Sequence, residues 1–202
     1  MTDFRIVFMG TPEFALPSLE ILMNHGYKVV GVVTSADKPR GRGKQIAASA
    51  VKRYALDHGL NILQPVNLKD EGFVRELNLL APDLQVVVAF RKLPEIVWKI
   101  PLSGTINLHA SLLPDYRGAA PINRAIINGE TMTGVTTFFI NQEIDKGKII
   151  LREKEKIYPD DDAGSLHDRL MRKGAELVLK TVELIRDGKV NPIEQVSIGI
   201  LN

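Results

Sequence analysis

Hydrophobic positions along the first half of the chain switch between two periods. Phe4 to Met9 is apolar apart from Arg5 and stops at Gly10-Thr11-Pro12. Apolar residues then recur at Phe14, Leu16, Leu19 and Leu22, a helical spacing, with Thr11 as candidate N-cap, Pro12 as first helical residue and Gly26 as stop. Tyr27 to Thr34 is a second, valine-rich run. Strand, helix and strand in about thirty residues predict a βαβ unit, because parallel strands covered on both faces read as continuous apolar runs.

The pattern continues with a helix over Ser49–His58 closed by Gly59, a short strand over Asn61–Gln64, a helix over Lys69–Leu80 and a very apolar strand over Leu84–Phe90. Gly104–His109 predicts another strand and Pro121–Asn128 a helix. Gly134–Ile140 and Lys148–Glu155 are strand-like and close together, which suggests a mixed sheet edge. Leu166, Leu170, Leu177, Val178, Leu184 and Ile185 place a long helix from about Gly164 to Gly188. The expected fold is a Rossmann-like α/β domain, a doubly wound, mostly parallel sheet with helices on both faces and mixed late strands. Ligands are expected beyond the carboxyl ends of its strands. The domain is expected to span residues 1–189, with 190–202 an extended tail that has no obvious element to pair with.

Composition adds limits. The chain has 202 residues, 45% hydrophobic and 25% charged, which suits one soluble core. A net charge of +2 does not demand a nucleic-acid partner. With no cysteine, disulfides, thiolate metal sites and a cysteine nucleophile are excluded. The first ten residues read as a strand, not a signal peptide, and no apolar stretch reaches the roughly 20 residues of a membrane helix. A cytoplasmic protein that does not engage membranes is the expectation.

Candidate chemistry concentrates in Asn107-Leu108-His109. Residues two apart on a strand share a face, so Asn107 and His109 project together while Ile106 and Leu108 face the other way. An amide that donates hydrogen bonds beside an imidazole that moves protons is a plausible acyl-transfer pair. Asp145, in the turn Glu143–Gly147 between the late strands, would orient that imidazole if the fold brought the two together. Gly10-Thr11-Pro12 lacks the second and third glycines of a dinucleotide fingerprint. His25, His58 and His167 show no metal-ligand spacing, Asp160-Asp161-Asp162 reads as a solvated helix start, and no metal is expected. Lys38, Arg40, Arg42 and Lys44 put four cations into seven residues with Pro39, Gly41 and Gly43. That reads as a mobile basic loop, solvated or gripping a phosphate backbone, and Lys52 and Arg53 could extend it.

Together these segments resemble the methionyl-tRNA formyltransferases, within the folate-dependent formyltransferase superfamily. The resemblance rests on Val7–Ala15, Asp37–Lys44, Leu63-Gln64-Pro65, Asn107–Pro114, Tyr116–Ile122 and Glu143–Gly147, in the family's order. It implies formyl transfer from 10-formyltetrahydrofolate to the α-amine of methionyl initiator tRNA, with Asn107, His109 and Asp145 as the catalytic set. It further implies a folate site including Ser111, Leu112, Leu113 and Pro114 with Phe90, Arg91 and Leu93, and tRNA contacts from Lys38, Arg40, Arg42 and Lys44. Phe90-Arg91-Lys92-Leu93-Pro94 departs from the family's usual Y-G-x-x-L-P. The family's C-terminal β-barrel would follow this chain, whose tail is then the start of a linker. A monomer is expected. An enzyme formylating an amino sugar nucleotide or glycinamide ribonucleotide, and a folate- or RNA-binding module without turnover, are the rivals; the basic loop favours the tRNA acceptor.

Overall fold

The first apolar run forms β1 (Arg5–Gly10), whose Ile6, Val7, Phe8 and Met9 are fully buried. The structure is a computed structural model that describes residues 3–40 and 45–195. The chain divides into two units, residues 1–106 and 107–202.

In the first unit a single 3-10 turn (Glu13–Ala15) leads into α1 (Leu16–Asn24), followed by β2 (Lys28–Val33). Thr11 does not cap this helix as the sequence suggested. Its Oγ1 instead accepts from the Ser35 N–H at 3.1 Å, and Pro12 heads the 3-10 turn with no side-chain cap. A Cβ on Gly10 would stand 2.7 Å from the Ala15 Cβ, so this tight turn requires glycine. β3 (Lys38–Arg40) and β4 (Gln45–Ala47) pair as an antiparallel ribbon where a loop was expected. Backbone pairing of 38–40 with 45–47 overrides the local proline and glycine signals. α2 (Ala50–Asp57) starts at Ser49, whose Oγ accepts from Lys52 N, and Gly59 takes the left-handed conformation expected of a helix stop. β5 (Ile62–Leu63), α3 (Glu71–Leu79), β6 (Leu84–Val88) and the one-turn α4 (Glu95–Trp98), which periodicity did not signal, follow.

β1 lies between β2 and β6, parallel to both, and β5 extends β2, giving the order β5-β2-β1-β6. The chain builds outward on one side of β1, then returns to its other side. That reversal is the doubly wound arrangement the sequence predicted.

β7 (Thr105–His109) carries the chain into the second unit, which holds α5 (Pro121–Ile127), β8 (Met132–Phe139), β9 (Ile149–Lys156) and α6 (Ala163–Arg186). β8 and β9 pair antiparallel, from Met132↔Lys156 to Phe138↔Ile149, so the expected mixed late strands are present. α6 opens with a capping box between Asp162 and Ser165. It buries Leu166, Leu170, Leu177, Val178, Val182 and Ile185. Gly174 sits where a Cβ would meet Leu108 at 2.6 Å, so α6 packs directly on β7.

The tail does find a partner. Ile193 and Ile149 exchange two backbone hydrogen bonds of 2.8 Å, an antiparallel bridge. β9 is an edge strand whose outward N–H and C=O groups need partners, and the tail supplies them at Ile149.

Candidate active site

β7 places Asn107 and His109 on one face. Ile106 and Leu108, on the other, are buried. His109 is only 7% exposed. Asn107 is half-buried, and its carboxamide has no hydrogen-bond partner among the described residues.

After β7 the backbone is folded by its own polar groups. Ser111 Oγ donates to the Asp115 carbonyl at 2.6 Å. Buried Thr136, on β8, donates its hydroxyl to the Ser111 carbonyl at 2.6 Å and accepts from Leu113 N at 3.1 Å. Arg152 Nη1 donates to the Leu113 carbonyl at 3.0 Å, and the Leu113 side chain joins Phe138 and Ile149 in a buried cluster. Ser111 and Leu113 thus build the loop, while Leu112 and Pro114 stay half-buried at its surface.

The next turn aims a carbonyl at the histidine. Tyr116 is left-handed (φ 57°), and its carbonyl accepts from His109 Nε2–H at 2.9 Å. The Tyr116 phenol is fixed by hydrogen bonds with the Glu130 carboxylate and with Asn128 Nδ2 (3.0 Å), and Arg124 stacks 5.2 Å from the ring centroid. The Glu130 carboxylate raises the phenol's pKa above its usual value. A hollow of about 390 Å³ lies against the same ring, between Leu112, Arg124 and Met132.

A carbonyl oxygen can only accept, so Nε2 keeps its proton in either charge state of the ring. The other nitrogen, Nδ1, lies 3.7 Å from Asp145 Oδ2, within ion-pair range and beyond a direct hydrogen bond. The same Oδ2 accepts from the Gly118 N–H at 2.8 Å. Asp145 is itself left-handed (φ 53°), a conformation aspartate tolerates better than most side chains. Gly147 follows with no room for a side chain: a Cβ there would stand 1.6 Å from the Phe139 carbonyl oxygen. The fold therefore brings His109 and Asp145 together and keeps Asn107 beside the histidine on β7.

Tyr116 and Gly118 were visible only as members of the Tyr116–Ile122 motif, because both act through backbone groups, and Thr136, which acts through a non-local hydroxyl, gave no signal. Gln195 was missed as well: its side chain bonds to Arg117, Asp145 and Gly147, and no local signal marks it.

In the first unit, Arg91 donates to the carbonyls of Val66 (2.7 Å) and Pro65, and lies 5.7 Å from the centroid of the Phe90 ring. Leu93 is buried and Phe90 half-buried. The loop 90–94 is thereby tied to the segment after β5. Lys38 and Arg40 lie on β3; Arg42 and Lys44 lie outside the described residues. Lys52 does not extend the basic set as a free cation, since it is paired with Asp37, and Arg53 donates to the Ala48 carbonyl at 2.6 Å. Lys52 also holds the Asp37 carboxyl below its usual pKa. No group of three or more metal-ligating side chains occurs among the described residues, and none of their helices is long and apolar enough to cross a membrane.

The sequence pattern described as formyl transferase matches residues 4–182. The chain is similar to the methionyl-tRNA formyltransferase of Flavobacterium johnsoniae, 59% identical over 190 residues, 94% of this chain and 60% of that protein. It spans about 60% of the length of the curated relatives it matches. Its fold is similar to glycinamide ribonucleotide transformylase 1 from Symbiobacterium toebii (TM-score 0.79, 18% identity, covering 95% of this chain and 94% of that one). It is also similar to the N-formyltransferase from Helicobacter canadensis in complex with folinic acid and dTDP-3-aminofucose (TM-score 0.75, 22% identity, covering 96% and 68%).

Proposed function

The chain belongs to the formyl transferase family, and on that premise we propose that it moves a formyl group from 10-formyltetrahydrofolate to the α-amine of methionyl initiator tRNA by direct amine attack. The observation that carries this reading is the divided histidine. Nε2 of His109 is held on the Tyr116 carbonyl while Nδ1 faces the Asp145 carboxylate at 3.7 Å. Identity of 59% to a relative named for methionyl-tRNA supports the acceptor, as do the cations Lys38, Arg40, Arg42 and Lys44.

The site fits a one-carbon donor. Asn107 offers an amide without a partner among the described residues, next to an imidazole whose Nδ1 faces Asp145 without a direct hydrogen bond. The folate supplies the formyl group, and Leu112 and Pro114 would hold it, with Ser111 and Leu113 shaping the loop beneath.

In the transfer, the neutral amine bonds to the formyl carbon, and charge develops on the formyl oxygen. Asn107 donates to that oxygen; a donor of this kind is worth about 10²–10³ in rate. The proton lost by the amine passes to the Asp145–His109 pair through Nδ1. One proton is returned to the folate nitrogen as its bond to the formyl carbon breaks, so the step is redox-neutral and leaves the enzyme unchanged. Acid–base help of this sort contributes about 10²–10⁴-fold. No side chain is acylated.

The test is turnover of the full chain with 10-formyltetrahydrofolate and three acceptors: methionyl initiator tRNA, glycinamide ribonucleotide and a dTDP-amino sugar. Formylation of the tRNA alone is the expected result. Preference for either small acceptor moves the chain to another branch of the family. Folate binding without transfer to any of them overturns the enzymatic reading.

A further inference from the structure

We propose that Gln195 is a positioning residue for the Asp145–His109 pair, locking together the two loops that meet at the histidine. The proposal rests on the formyl-transfer reading for its activity consequence but not for its geometry. Gln195 uses its whole carboxamide. Its Nε2 donates to the carbonyls of Asp145 (2.9 Å) and Gly147 (2.8 Å). Its Oε1 accepts from Arg117 Nε (3.0 Å) and Nη2 (2.6 Å).

The residues it joins flank the reactive groups. Arg117 lies between Tyr116, whose carbonyl accepts a hydrogen bond from His109 Nε2–H, and Gly118, whose N–H donates to Asp145 Oδ2. On the other loop the bonded carbonyls belong to a left-handed aspartate and to a glycine that has no space for a Cβ. A non-glycine residue persists in that conformation only where its surroundings over-determine it. Gly118 constrains the Asp145 side chain, and Gln195 constrains its backbone. Gln195 is brought there by the Ile193–Ile149 bridge and by an ion pair between Lys148 and Glu194 (3.1 Å).

The two roles of the amide are separable. Gln195→Glu keeps the shape and the acceptor for Arg117, yet cannot donate to the two carbonyls and sets a negative charge against them. Gln195→Ala removes both roles. The experiment compares these variants with the wild-type chain in kcat, in KM for 10-formyltetrahydrofolate, and in the ring ¹⁵N chemical shifts of His109 without ligand. Thermal unfolding monitors the fold.

Both variants should lower kcat by about 10–100-fold, the usual cost of a small misplacement, with KM little changed. Both should move the His109 nitrogen shifts toward those of Asp145→Asn. A merely structural tail would lower the unfolding temperature without that displacement. If Gln195→Glu keeps both kcat and the His109 shifts of the wild type, the positioning role is overturned. If the wild type transfers no formyl group while the variants still displace the His109 shifts, the functional reading falls and the positioning role stands.

Discussion

β6 and the two loops around His109 are held in place by opposite means. β6 buries five consecutive residues, Leu84 to Val88, and any set of apolar side chains of the right volume would satisfy most of what it needs. The loops bury little. They hold Tyr116, Ala120 and Asp145 in left-handed conformations, each costing of order 1–3 kcal/mol, against individually directed hydrogen bonds. Area fixes the first region and direction fixes the second. Stability and activity should therefore respond to different substitutions, and the clearest failures of that separation would be the most informative.

The largest effect is expected at His109. His109→Ala should lower kcat by about 10²–10⁴-fold, with a modest change in unfolding temperature. Single-turnover formyl transfer and calorimetry on one preparation check both. A loss of less than tenfold would mean that this ring moves no proton in the rate-limiting step. In β1 the opposite outcome is expected. Phe8 is fully buried, and Phe8→Ala should cost about 3–5 kcal/mol in a urea titration while the folded fraction keeps its specific activity.

The same contrast decides what the sequence could disclose. β1, β2 and β6 were legible because continuous apolar runs have one economical use in an α/β domain. Even so, Gln85, the second residue of β6, is fully buried, its Oε1 accepting from the Thr105 hydroxyl at 2.9 Å, which no periodicity foretells. Asn107 and His109 were legible from strand alternation. The approach of His109 to Asp145 was not, because it depends on a left-handed aspartate and on the Gly118 N–H. Tyr116 was visible only as part of a motif, since its contribution is a carbonyl. The β3–β4 ribbon and the pairing of Ile193 with Ile149 escaped notice because both depend on backbone partners that carry no residue signature.

Gly147 is where the two regimes should merge. Its missing side chain is demanded by the Phe139 carbonyl oxygen at the end of β8, yet it is two residues from Asp145. Gly147→Ala must shift the 143–147 turn, costing about 1–3 kcal/mol as overpacking and lowering kcat together with stability. Gly26, left-handed with open space where a Cβ would be, is the control: Gly26→Ala should touch stability alone. If Gly147→Ala unfolds early but turns over normally, the turn tolerates movement and Asp145 needs no fixed backbone.

The smallest effect tests electrostatics within the second unit but outside the site. Asp161, just before α6, receives Arg169 Nη1 at 2.7 Å and Nη2 at 2.5 Å, with the Tyr158 N–H at 2.7 Å. Arg169 is the main cause of an Asp161 pKa held far below the ordinary 3.8. A carboxyl depressed in the folded state binds protons more readily when unfolded, so folding gains stability as pH rises through the unfolded value. That gain is complete above about pH 4–5 and is lost as pH falls toward the folded value. Arg169→Met should therefore be less stable than the wild type at neutral pH, with the two curves converging in acid. Part of the difference should disappear in high salt, because the guanidinium is partly exposed. Formyl transfer should not follow this pH dependence, since Asp161 and Arg169 make no contact with His109, Asp145 or Asn107 among the hydrogen bonds and ion pairs of the described residues. A parallel fall in kcat and stability over the same acid range would show that the α6 start and the site loops unfold as one unit, and the division between area and direction would then end at β7.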